Sequence, residues 1–175
     1  SLLKQLKIEN EELRMAEGGQ LKKVLVVCTG NTCRSPMAEG WLNAKLAGKG
    51  WTAESAGVAA WDGSPASPEA VEAMREIGVD IAGHRSRGLT RGVVDGADVI
   101  LAMTEGHRRE IARRFPEAEQ KTFLVHGFGA APAEDVADPV GCSLDVYRKT
   151  RGELAQALGD FVLHLAERGE LKTNA

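Results

Sequence analysis

Residues 28 to 36 read Cys-Thr-Gly-Asn-Thr-Cys-Arg-Ser-Pro and follow the apolar run Val24-Leu25-Val26-Val27 directly. A buried strand that ends in a polar, glycine-containing loop and opens a helix aims several backbone N–H groups and the positive end of the helix dipole at one point. That point suits an anion, and here it also holds the thiol of Cys28. The dipole and the guanidinium of Arg34 both favour the nucleophilic thiolate. Phosphoryl transfer to such a thiolate needs a nucleophile, donors for the equatorial oxygens, a cation of matching geometry and an acid for the leaving group. Cys28 supplies the first, and the N–H groups of Thr29, Gly30, Asn31, Thr32, Cys33 and Arg34 supply the second. The planar fork of Arg34 engages two oxygens at once, which a lysine does not. Ser35 is placed to donate a hydrogen bond to the sulfur. The acid must come from elsewhere. Asp138-Pro139 is the only Asp-Pro pair and lies in an Ala/Pro/Gly-rich loop before the last helical pattern, so Asp138 is the candidate general acid and base.

These residues need a scaffold that brings residue 138 to residue 28. From Lys22 onward apolar β-type runs alternate with helical patterns. Strands are predicted at 23–27, 52–56, 97–102 and 121–125, and helices at 36–48, 67–77, 105–114 and 143–167. The last helix carries Leu144, Tyr147, Leu154, Leu158, Phe161, Val162 and Leu165 on one broad face. The alternation predicts a single α/β domain with a four-stranded parallel sheet covered by helices on both faces, reached through right-handed crossovers. Ligands of such sheets bind at the carboxyl ends of the strands near a switch in strand order, and the cysteine loop begins at such an end.

The chain has 175 residues, the length of one ordinary domain. A net charge of −3 provides no basic field for nucleic acid, and no apolar stretch approaches the roughly 20 residues of a membrane span. Three cysteines match no structural zinc pattern and read as free thiols of a reducing compartment, so a cytoplasmic location is expected. Residues 1–20 differ from the rest: Leu3, Leu6, Asn10 and Leu13 fall at heptad-like positions before Gly18-Gly19. They read as an appended leader, helical or disordered, of natural or artificial origin, with the catalytic domain at 21–170 and a disordered tail at 171–175.

The run Val27 to Pro36 with a late Asp138-Pro139 resembles the low-molecular-weight protein phosphatases. Ser55-Ala56-Gly57, His84 with Arg87, and Ala97 to Met103 match further segments of that family, so the likeness covers about residues 22 to 168. It implies a flavodoxin-like three-layer fold, phosphorylated proteins as substrates, a cysteinyl-phosphate intermediate without metal or other cofactor, and a catalytic domain that works as a monomer. It also implies that Asn31 holds the loop in shape together with His84, the rival being an ordinary packed histidine.

Within the family, the residue between the loop asparagine and the second cysteine bears on substrate choice. Tyrosine-directed members usually carry an apolar branched residue there and aromatic residues after the Asp-Pro pair. Here Thr32 stands in the loop, and Val140-Gly141 follow Pro139. The chain therefore resembles the arginine-directed branch most. The Thr32 hydroxyl would hydrogen-bond near the guanidinium and Asp138 would pair with it. Thr32 as a plain loop residue is the competing reading. For Trp61, a wall of the substrate cleft competes with core packing. For Cys33, a reversible disulfide with Cys28 competes with packing behind the loop. Cys142 has no assigned role. The alternatives for the whole protein are a tyrosine phosphatase of the same mechanism, a thioredoxin-coupled arsenate reductase and a non-catalytic phosphate-binding scaffold.

Overall fold

The computed structural model describes residues 19–173; the leader expected at 1–20 lies outside the described residues except for its last two positions. Four strands form one sheet: β1 (Lys22–Cys28), β2 (Trp51–Gly57), β3 (Val99–Ala102) and β4 (Thr122–Leu124). They pair in parallel in the order β2-β1-β3-β4, with Cys28 opposite Gly57 and Val27 opposite Ala102. The helices are α1 (Arg34–Leu46), α2 (Pro68–Arg75), α3 (Arg91–Asp95), α4 (Glu105–Arg114) and α5 (Leu144–Glu167), with a 3₁₀ turn at Pro116–Lys121.

Side chains alternate across a strand, so a strand buried on both faces must be apolar throughout. Val24 to Val27 are fully buried and feed two cores in turn. Val24, Val26 and Cys28 face a core that also takes Met37, Ala38 and Leu42 of α1, Ala70, Ala73 and Met74 of α2, and Tyr147, Leu158 and Phe161 of α5. Leu25 and Val27 face a second core with Ile100 and Ala102 of β3, Val94 of α3, Ile111 of α4 and Ala118 of the 3₁₀ turn. The sheet is thus a middle layer, and the chain leaves β1 toward β2 on one side before returning to β3 on the other. That reversal opens a crevice at the carboxyl end of β1, where Cys28 sits.

The four strands and four long helices fall where the sequence pattern puts them, within three residues at each end. Helix α3 and the 3₁₀ turn are additional; at five and six residues they are too short to show a helical period. Residues 171–173, expected as the start of a disordered tail, are described: Leu171 packs against the larger core and the N–H of Lys172 donates to the Lys49 carbonyl at 2.9 Å. Among the described residues no helix is long and apolar enough to cross a membrane.

Candidate active site

The loop between Cys28 and Arg34 is tied to its neighbours at nearly every residue. The carbonyls of Cys28 and Thr29 accept from the N–H groups of Val58 and Ala59, each at 3.0 Å, so the chain leaving β2 braces the loop from one side. This close approach requires glycine at position 57. A Cβ built there would lie 2.4 Å from the Thr29 carbonyl oxygen and 3.0 Å from the Asn31 nitrogen. At the far end the loop runs into α1 with Cys33 as N-cap. No side chain caps that end and no acidic residue stands in its first turn, so its N–H groups keep their capacity for an anion.

Asn31 is the structural centre of the loop. It is fully buried and adopts φ +57°, a left-handed conformation that asparagine tolerates better than most residues. Its Oδ1 accepts the backbone N–H of Arg87 at 2.9 Å, which fixes which end of the amide is the donor. Its Nδ2 then donates to Ser35 Oγ at 2.8 Å and to Ser55 Oγ at 2.9 Å. With an oxygen lone pair taken by that amide, the Ser35 hydroxyl proton is left for Cys28 Sγ, 2.9 Å away. The Ser55 hydroxyl donates in turn to Glu39 Oε2, and Glu39 lies 3.7 Å from Nδ1 of His84. His84 Nε2 donates to the Asn31 carbonyl at 2.7 Å. The expected support of Asn31 by His84 is therefore a direct hydrogen bond to the loop backbone.

Arg34 is buried, and its three nitrogens are divided. Nη1 donates to the Val136 carbonyl at 2.8 Å and Nη2 lies 3.4 Å from Asp138 Oδ2. Nε is buried with no partner among the described residues, a donor available to an oxyanion in the loop. Asp138 is held from behind by the Val140 N–H, which donates to its Oδ1 at 3.1 Å. The segment before it is pinned to β3 and α4: Val136 N–H donates to the Met103 carbonyl at 2.9 Å, and Glu105 N–H to Asp135 Oδ1 at 2.7 Å. Residues 110 positions apart in the chain thus meet at one cavity of about 240 Å³, lined by Cys28, Thr29, Gly30, Thr32, Cys33, Arg34, Asp138 and Val140. Among the described residues no aromatic side chain lines it.

The remaining predicted residues divide. Thr32 lines the cavity beside the loop. Cys33, which also lines the cavity, is a buried free thiol 3.1 Å from the Tyr147 hydroxyl and 3.5 Å from Ser67 Oγ. Burial, reinforced by Cys33, pushes Tyr147 up to about 12, which keeps that hydroxyl protonated. Trp61 is 86% exposed, which corrects the core-packing reading, and it does not line the cavity either, so it does not stand in the cleft wall expected of it. Its side chain projects from the turn after β2, where only its carbonyl is engaged, by Ser86 Oγ. Cys142 is exposed and also stands outside the cavity.

Four residues carry the site without having been assigned a role from sequence: Ser55, Glu39, Arg87 and His107. His107 is buried in α4, with Nε2 2.8 Å from Thr29 Oγ1 and Nδ1 3.0 Å from Thr104 Oγ1. Burial pushes it down to about 4, and Arg34 adds to this against the pull of Asp135 and Asp138. The available signal is its position, three residues past Thr104, the N-cap that follows β3 at the carboxyl end of the sheet where Cys28 also lies. Among the described residues no group of three or more His, Cys, Asp or Glu is arranged to hold a metal ion.

Comparison with known proteins gives a concordant picture. Residues 23–171 match the family model described as low molecular weight phosphotyrosine protein phosphatase. A protein-arginine-phosphatase of Geobacillus stearothermophilus is 47% identical over 132 residues, 75% of this chain and 88% of the relative. A probable low molecular weight protein-tyrosine-phosphatase, EpsP, of Ralstonia nicotianae is 42% identical over 79% of this chain and 87% of its own length. The solved YwlE arginine phosphatase from Geobacillus stearothermophilus superposes with a TM-score of 0.79 at 42% identity, covering 88% of this chain and 99% of that one.

Proposed function

Since the chain belongs to the low molecular weight phosphotyrosine protein phosphatase family, we propose that it hydrolyses phosphoarginine on proteins through a phosphocysteine at Cys28. The observation that carries the choice of substrate is the wall of the cavity. Thr32, Asp138 and Val140 line the cavity, and among the described residues no ring lines it to clamp a phosphotyrosine. A guanidinium instead seeks hydroxyl and carboxylate acceptors, which Thr32 and Asp138 supply. The arginine-phosphatase relatives support the same reading.

In this reading the phosphoryl group enters with its oxygens on the loop N–H groups and on Arg34, whose Nε is the unengaged donor. Cys28 Sγ attacks phosphorus in line while the P–N bond breaks and Asp138 delivers a proton to the departing guanidine nitrogen. Arginine leaves as the protonated side chain. Asp138, now a carboxylate, takes a proton from water, and that water attacks the phosphocysteine. The S–P bond breaks, inorganic phosphate departs, and the hydroxyl of Ser35 stabilises the returning thiolate from 2.9 Å. Two successive inversions at phosphorus need no redox partner or metal for their electron balance.

Turnover of phosphoarginine and phosphotyrosine peptides by the same preparation tests the assignment. Faster turnover of the phosphoarginine peptide is the expected result, with Thr32→Ile moving the ratio toward phosphotyrosine. Much faster phosphotyrosine turnover by the unaltered protein would reassign the chain to the tyrosine-directed branch.

A further inference from the structure

His107 is a buried titratable side chain that the reaction described above does not use. It lies at the point where two elements meet the loop. Thr104 lies two residues past the end of β3 and caps α4; its Oγ1 accepts the backbone N–H of His107 at 3.1 Å and lies 3.0 Å from Nδ1 of the same residue. The other ring nitrogen, Nε2, is 2.8 Å from Thr29 Oγ1. Thr29 is the first residue after the nucleophile and lines the cavity. Its backbone is held from the β2 side, where its carbonyl accepts from Ala59 N–H at 3.0 Å. Its side chain is held from the α4 side by the imidazole. Both nitrogens of the ring therefore end on threonine hydroxyls, so Thr29 cannot rotate away without leaving a buried polar atom unpaired.

We propose that His107 is a positioning residue of the phosphate loop, holding the Thr29 side chain so that the first backbone N–H after Cys28 and the Thr29 hydroxyl meet a phosphoryl oxygen. The proposal rests on the reading that the loop receives a phosphoryl group. The charge state of the ring suits the task. Facing Arg34, Asp135 and Asp138, it stays neutral through the neutral pH range, so it adds no cation that would compete with Arg34 for the oxygens. A lysine or arginine at this place would compete.

Two amide replacements separate positioning from mere filling of space. The Nε2 of glutamine falls near the imidazole Nε2 and keeps the bond to Thr29, whereas the Nδ2 of asparagine falls near Nδ1 and keeps only the bond to Thr104. The experiment measures kcat and KM on p-nitrophenyl phosphate, the dissociation constant of inorganic phosphate, and Tm for the unaltered protein, His107→Gln, His107→Asn, Thr29→Val and the His107→Asn/Thr29→Val double variant. His107→Asn and Thr29→Val should each weaken phosphate binding about tenfold, the worth of one part-buried hydrogen bond. His107→Gln should recover most of that loss, and the double variant should be no worse than either single. Thr29→Val leaves α4 intact, so it reports even where a histidine variant folds poorly. Equal effects of the Gln and Asn variants, or fully additive losses in the double variant, would overturn the proposal. Failure of the unaltered protein to turn over p-nitrophenyl phosphate would instead refute the phosphatase reading, with the phosphate affinities still deciding the role of His107.

Discussion

Arg34 holds the Asp138 loop at two points: Nη2 lies 3.4 Å from the Asp138 carboxylate, and Nη1 donates at 2.8 Å to the carbonyl of Val136, two residues earlier in the same loop. The residue proposed to clamp the phosphoryl group therefore also positions the loop that carries the proposed acid. Arg34→Lys keeps the charge and loses both the fork and the hold on Val136. It is expected to lower kcat about 10²- to 10³-fold, the usual cost of removing a transition-state donor. The same measurement on Asp138→Asn should show a leaving-group signature. The loss on a phosphoarginine peptide should exceed that on p-nitrophenyl phosphate, whose leaving group needs little protonation. Equal losses on both substrates would remove Asp138 from the role of acid.

Asn31 controls the direction of the hydrogen bond to the nucleophile. Asn31→Asp is nearly isosteric but replaces the Nδ2 donor with an acceptor, so the Ser35 hydroxyl turns its proton to residue 31 and away from Cys28. Alkylation of Cys28 by iodoacetamide at neutral pH should slow about tenfold or more. Unchanged alkylation would show that Ser35 does not stabilise the thiolate.

Gly57 is where β2 touches the loop. Gly57→Ala would place a methyl group 2.4 Å from the Thr29 carbonyl oxygen, a backbone atom that cannot step aside alone. A loss of about 2–4 kcal/mol in a denaturant titration is expected, together with weaker phosphate binding. Gly63→Ala sets a reference: its Cβ has open space, and only the left-handed φ of +88° opposes it.

His107 makes stability depend on acid. Its folded value is about 4, below the value of about 6.5 for an unfolded histidine, so the unfolded chain binds the extra proton between those limits. Stability from this group is complete above pH 6.5 and falls as the pH drops toward 4, by at most about 3 kcal/mol; below pH 4 both states are protonated and the slope ends. Chemical denaturation at pH 7 and pH 4.5 should show a smaller acid loss for His107→Gln than for the unaltered protein. Identical losses would mean that the ring is already charged in the folded state.

What the sequence made legible follows from how local each feature is. Val24 to Pro36 is one strand, one loop and one helix start, so residue types and spacing suffice to place Cys28, Arg34 and Ser35. Asp138 was found through chemistry, as the acid the loop lacks, and the fold does bring it to 3.4 Å from Arg34. The bracing web was harder to see. Ser55 and Arg87 reach Asn31 because β2 lies beside β1, Glu39 of α1 stands behind Ser55, and His107 reaches Thr29 because β3 lies on the other side of β1. Such pairings depend on strand order, which no local pattern encodes. Trp61 was ambiguous for a related reason, since one tryptophan in a turn has no periodic partners to say whether it packs inward or outward.

The central claim is that phosphoarginine hands its phosphoryl group to Cys28. Rapid mixing of the unaltered protein with a phosphoarginine peptide, acid quench within the first turnover and peptide-mapping mass spectrometry tests it most directly. A single phosphoryl group on Cys28, absent from Cys33 and Cys142 and lost on the timescale of turnover, is the predicted result. Release of inorganic phosphate from the peptide with no phosphoryl group ever found on Cys28 would contradict it.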